Sequence, residues 1–196
     1  NEVILEQQVI TSGIPAEFAG GKGFVGNIVT KSGGNEFSGS VNYYMMSPDF
    51  YSDFKSSDNR LHTSLEDKND AAVTFGGPIM RDRMWFFLSG QMLENSDEVQ
   101  LSTSASPNGG VEEYKNDRRN YFGKLTFKPS TATTVIGQYF ADPRETSGST
   151  DVNLPPARYD TIESTPKTMW ITGQHLFSGK FLLDARVGQM KWDYFQ

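Results

Sequence analysis

Period-two runs joined alternately by very short and very long connections constrain this chain more than any other feature. Phe37 to Met46 reads FSGSVNYYMM, with Phe37, Val41, Tyr43 and Met45 on one face and Ser38, Ser40 and Asn42 on the other. Successive strand residues point to opposite faces, so this run is a strand with two chemically different sides. Further strands are predicted at Ala71 to Ile79, Met84 to Asn95, Asn120 to Lys128, Ala132 to Ala141, Lys167 to Phe177 and Phe181 to Tyr194. Turn-forming sequences join them in pairs at Met80-Arg81-Asp82-Arg83, Pro129-Ser130 and Ser178-Gly179-Lys180. Between the pairs lie Ser47 to Asp70, Ser96 to Arg119 and Asp142 to Pro166, rich in Ser, Asp, Asn, Gly and Pro. A compact soluble domain rarely carries loops of that length.

Tight turns on one side and long loops on the other describe the wall of an antiparallel transmembrane β-barrel, with the turns in the periplasm and the loops outside the cell. The fold class expected is therefore all-β, a partial barrel of seven strands. Side-chain sorting agrees. Tyr121, Gly123, Leu125 and Phe127 alternate with Lys124, Thr126 and Lys128, and Phe181, Leu183, Ala185 and Val187 alternate with Asp184 and Arg186. One face suits lipid and the other a wet lumen. Aromatic clusters at Tyr43 and Tyr44, Trp85 to Phe87, Tyr139 and Phe140, and Trp192 to Phe195 suit the headgroup level. The competing reading is a soluble β-sandwich, an adhesion or carbohydrate-binding module with aromatics in its core. It predicts an even spread of short turns, which this chain lacks.

Composition removes several classes of function. The formal net charge of −6 lacks the basic stripe of a nucleic-acid binder. Zero cysteines excludes disulfide scaffolds, thiolate zinc sites and cysteine nucleophiles. No apolar run reaches the length of a membrane-spanning helix, which leaves barrels untouched. Neither end looks like a natural terminus, and an odd number of strands does not close the usual bacterial barrel, so the chain is expected to belong to a longer polypeptide or to an assembly that completes the wall.

Two segments point further. Ala16 to Ser40, AEFAGGKGFVGNIVTKSGGNEFSGS, resembles the junction between plug and barrel in TonB-dependent outer-membrane transporters, and most closely the Oar-like group. Phe75 to Phe87, FGGPIMRDRMWFF, is similar to a hairpin motif of the same family. Gly33-Gly34-Asn35 is expected to supply positive-φ positions where the chain turns into the wall, and Pro78 to sit at a strand end, where a missing donor is tolerated. Gly34 and Ser38 depart mildly from the family pattern.

The resemblance implies that residues 1–34 close a plug domain, with Val3 to Thr11 its last strand, and that residues 35–196 begin a barrel of about 22 strands. It also implies uptake of a solute, with peptide among the candidates, driven by energy from the TonB complex, which docks on a region upstream. Outer-membrane lipid is the remaining implied partner, with room for a surface lipoprotein or other assembly component; no nucleic acid is implied. A structural or interaction barrel without a transport cycle is the competing function.

Enzymatic chemistry finds little footing. Gly21-Lys22-Gly23-Phe24-Val25-Gly26 fits G-x-G-x-x-G, but the β-prone Asn27 to Thr30 follows where a dinucleotide site needs a helix. His62 and His175 stand apart, and Glu66-Asp67-Lys68-Asn69-Asp70 lacks the calcium-loop spacing. There is no nucleophile elbow or P-loop. No catalytic, cofactor or metal residues are assigned. The candidates for substrate contact are loop aromatics at the mouth, Phe50, Tyr51, Phe54, Tyr114 and Tyr159, whose alternative role is packing loops on one another.

Overall fold

The computed structural model describes residues 3–10, 25–47, 63–106 and 110–195. Its strands are β1 (Ile4–Ile10), β2 (Val25–Thr30), β3 (Ser38–Met46), β4 (Thr63–Met80), β5 (Met84–Gln100), β6 (Val111–Ser130), β7 (Thr133–Ala141), β8 (Arg144–Ser147), β9 (Ile162–Ser178) and β10 (Phe181–Phe195). β1 and β2 form a small antiparallel sheet. The others form one large antiparallel sheet in the order β10-β9-β7-β6-β5-β4-β3, with β8 between β6 and β9. Strand follows strand in chain order, as expected of a barrel wall built from consecutive hairpins.

All seven predicted wall strands are present, but several are much longer than their lipid-crossing portions. β5 spans 17 residues and β6 spans 20, so Ser96 to Gln100 and Val111 to Arg119 form a paired ribbon, not a loop. β4 likewise begins at Thr63 and β9 at Ile162. The reason is that ladder hydrogen bonds continue above the bilayer, where both faces are wet and no hydrophobic alternation is required. β8 extends the line of β7 past a break at Asp142-Pro143, pairing with β6 and β9. Pro143 has no N–H to give to the ladder.

The ribbon end has a small core of its own. Val99 and Leu101 are buried. Leu101 N–H donates to the Gly110 carbonyl (2.8 Å) and Ser102 N–H to that of Val152 (2.8 Å), tying two of the predicted loops together.

The face assignment holds along the wall. Val41, Val73, Leu88, Tyr121, Leu125, Ile171 and Val187 are exposed on the outer face, while Thr74, Phe87, Phe122, Lys124 and Thr126 are buried on the inner one. By register, several aromatics expected at the headgroup level, Tyr44, Trp85, Phe87, Phe140, Trp192 and Tyr194, belong instead to the inner face. Phe87 packs edge-on against Phe122 (6.2 Å between centroids), and Phe140 lines an internal cavity. Phe122 and Phe140 face inward where the small sheet lies beside them across that cavity.

The two family-like segments meet at the turn end. Asn35 Nδ2 donates to Asp82 Oδ1 (2.6 Å), while Asn35 Oδ1 accepts from Asp82 N–H (2.9 Å) and Trp85 Nε1 (2.8 Å). The positive-φ expectation for Gly33 and Gly34 is not met: among the described residues φ is positive at Asp82 (63°) and Gly148 (83°). Gly33 is needed for space, since a Cβ there would lie 2.1 Å from the Phe86 carbonyl oxygen. Pro78 does sit near the end of β4, beside a register irregularity.

Candidate functional site at the interface between the small sheet and the wall

Thr30, the last residue of β2, is held against the inner face of the wall. Lys124 Nζ donates to the Thr30 carbonyl (3.1 Å) and to Thr30 Oγ1 (3.0 Å), and Gln138 Nε2 donates to the same hydroxyl (3.0 Å). Lys124 and Gln138 are register partners on β6 and β7, so both side chains emerge on one face at one level. A buried ammonium is tolerated only when its donors are used, and the end of the small sheet supplies the acceptors.

Above this latch lies a cavity of about 340 Å³ between Ile28 of the small sheet and Phe122, Phe140 and Trp170 of the wall. Its polar lining comes from Thr30, Ser89, Gln91, Arg118, Asn120, Gln138 and Thr168. Asn120 donates weakly to Gln91 Oε1 (3.3 Å), and Gln91 in turn donates to Asp70 Oδ1 (2.8 Å). Asn120 Oδ1 is buried and accepts no hydrogen bond from the described residues. The cavity therefore offers aromatic faces, amides, hydroxyls and one guanidinium, a set suited to binding a polar solute or to sliding packed surfaces.

A charged cluster lies where β7 breaks. Arg118 donates to both oxygens of Asp142 (Nε to Oδ1 2.6 Å, Nη2 to Oδ2 2.7 Å), and Arg144 donates to Oδ2 through Nε (2.9 Å) and Nη2. Burial pushes the Asp142 carboxyl up, but the hydrogen bonds and charges of the two arginines outweigh it and hold it below the ordinary carboxylate range. Arg118 also reaches the cavity, so the cluster links the lining to the ribbon end.

Of the predicted contact aromatics, Tyr114 lies on β6 opposite Asp97, and Tyr159 follows a 3-10 turn at Pro156–Arg158. Burial, with Glu112 and Asp151 nearby, raises the Tyr159 phenol above its usual range. Phe50, Tyr51 and Phe54 lie outside the described residues, as do His62 and the first four residues of the G-x-G-x-x-G segment. His175 is a wall residue whose Nδ1 is 2.8 Å from Thr133 Oγ1. The structure brings together a different set, Thr30, Lys124, Gln138, Asn120, Arg118 and Asp142. The signal available for it was a lysine and a glutamine at lumen-facing positions of adjacent strands, visible only once their register is known.

Comparisons with known proteins agree with this geometry. A family model described as an outer membrane beta barrel domain matches residues 29–113. The TonB-dependent transporter Oar of Myxococcus xanthus is 27% identical over 183 residues, covering 79% of this chain and 17% of that protein. This is outer-membrane β-barrel wall, homologous to a TonB-dependent transporter. The barrel stretch thus spans 17% of the length of its curated relative. No solved structure matches it. In the TonB-dependent frame the wall strands cross the outer membrane, and the latch and cavity lie on the lumen side.

Proposed function

We propose that this chain forms the plug-barrel junction and first wall strands of a receptor that takes up a solute using energy transmitted through TonB. On this reading residues 1–34 end the plug, residues 35–196 open the barrel, and the protein is a transporter with no catalytic role. The observation that carries the reading is the Thr30 latch. A sheet held to the lumen wall by side-chain hydrogen bonds to Lys124 and Gln138, beside a partly polar cavity, is attached firmly enough to seal and weakly enough to move. A permanent filling would have an apolar, tightly packed contact there.

Solute recognition falls to the loop end, where Tyr114 and Tyr159 lie and to which Phe50, Tyr51 and Phe54 belong in sequence. A peptide matches the amide and aromatic lining. TonB is reached through sequence upstream, and outer-membrane lipid surrounds the wall.

Ser89→Cys, placed in the covered cavity of the full-length protein freed of any other cysteines, tests the reading. Labelling by a membrane-impermeant maleimide should rise in energised cells and fall to background in cells lacking TonB. Equal labelling in both would favour a structural barrel, a component of a surface assembly with no transport cycle.

A further inference from the structure

The register of β3 against β4 needs a cause. Ser38 pairs with Gly76 and Met46 with Lys68 without slippage. The connection between them, residues 47–62, is too long to dictate pairing as a two-residue turn does. Yet register matters more here than in water, because a one-residue slip would turn Ser40 and Asn42 to lipid and Val41 and Tyr43 to the lumen.

The fixed points lie at the other end of β3. The two hydrogen bonds between Asn35 and Asp82, with the Trp85 N–H on Asn35 Oδ1, tie the chain just before β3 to the turn between β4 and β5. That turn is itself rigid: Arg83 N–H donates to the Met80 carbonyl (3.1 Å), and Lys128 N–H to that of Arg83 (2.7 Å). Next to it, the Gly76-Gly77 stretch of β4 is clasped from both sides. A Cβ on Gly76 would lie 3.4 Å from Gly33 Cα, and a Cβ on Gly77 would lie 2.2 Å from the Phe37 ring. Successive residues of a strand face opposite ways, so Gly33 sits on one face and Phe37 on the other. Phe37 continues into a stack on Phe75 (5.8 Å between centroids, 4° between planes).

We propose that Asn35, with Gly33 and Phe37, is a register clamp: it sets the pairing of the first wall strand from the turn end, doing the work that a tight hairpin turn does elsewhere in the sheet. The clamp explains why two segments about 40 residues apart in sequence, both recognisable by motif, are physically one site. It is independent of what the barrel carries.

Cross-linking tests it in the full-length protein, assembled in outer membranes and freed of any cysteines outside this stretch. Ser40 Oγ and Thr74 Oγ1 are 2.8 Å apart on paired residues, so Ser40→Cys with Thr74→Cys reports the native register. Asn42→Cys with Thr74→Cys reports a two-residue slip that keeps the faces. Adding Asn35→Ala should lower the native cross-link by about fivefold or more, and the slipped one should rise above background. An unchanged native yield with the slipped pair at background would overturn the clamp. Should Asn35→Ala prevent assembly, Trp85→Phe, which keeps the ring and removes one donor, carries the same two read-outs with a smaller shift in the same direction, and no shift in either would likewise overturn the proposal.

Discussion

Two lumen-facing charges of the wall, Lys124 and Asp184, are held in different ways. On β5 to β7 the inner face lies under the small sheet, and Phe87, Phe122, Lys124 and Thr126 are buried. At β10, the edge of the described sheet, the inward Asp184 accepts a hydrogen bond from Gln174 on the neighbouring strand (2.6 Å). The same alternation of polar and apolar residues thus has two energetic meanings. A lumen charge under the sheet must have charged or multiple polar partners, whereas Asp184 is held by one neutral amide, which an asparagine can engage as well.

The largest effect that would sharpen this contrast comes from the outer face, where covering plays no part. Val187→Arg should place a charge in lipid and cost about 2 to 4 kcal/mol near the midplane, read from urea unfolding of the full-length barrel in lipid vesicles. A cost near zero would mean that the faces of β10 are inverted.

Next in size is Asp142→Asn, which leaves two arginines facing a neutral amide and should cost roughly 1 to 3 kcal/mol at neutral pH, discounted because both guanidinium groups are partly exposed. The folded carboxyl is held below its ordinary value, so its contribution is complete above the unfolded pKa and fades as pH falls through the folded one. The gap between native and variant stability should therefore begin to narrow below about pH 4 and close only at more acid pH, once the folded carboxyl is protonated. A gap that persists there would show that packing, not charge, is at stake.

Lys124→Met keeps the aliphatic stem and removes the latch donor. Hydrogen exchange of residues 25–30 should quicken by about fivefold to tenfold, as for a loss on the order of 1 kcal/mol. Unchanged exchange would assign the hold on Thr30 to Gln138 alone. Smallest is Asp184→Asn, expected within about 0.5 kcal/mol of native. If it matched Lys124→Met in cost, the distinction between the latched lysine and the amide-paired aspartate would fail.

What was legible in the sequence follows the same physics. Lipid demands an unbroken apolar outer face, so Tyr121 to Phe127 and Phe181 to Val187 declared both strand and orientation. The upper half of β6, Val111 to Arg119, reads VEEYKNDRR and declared nothing, because a ribbon outside the lipid can half-cover one face with polar and charged residues such as Glu112 and need not alternate apolar with polar. Phe87 and Phe140 look like headgroup aromatics from sequence because pattern distinguishes apolar from polar, not lipid from a covering sheet. The latch and the clamp were out of reach for a further reason. Thr30 meets Lys124 and Asn35 meets Asp82 across sequence separations that only strand register resolves. The motif residues around Asn35 and Asp82 were recognised as markers, while the contact that makes them one unit became visible only in three dimensions.

The length of β6 has a consequence for what reaches the mouth. Its 20 residues extend roughly 66 Å at the usual rise of a strand, about twice the path that a tilted strand needs to cross a bilayer. The outer portion stands clear of the lipid as a hydrogen-bonded palisade with β5, stiffened by Ser96 and Lys115 on Glu113. A strand pair of that length carries Tyr114 and the ribbon end well beyond the lipid-crossing portion of the wall.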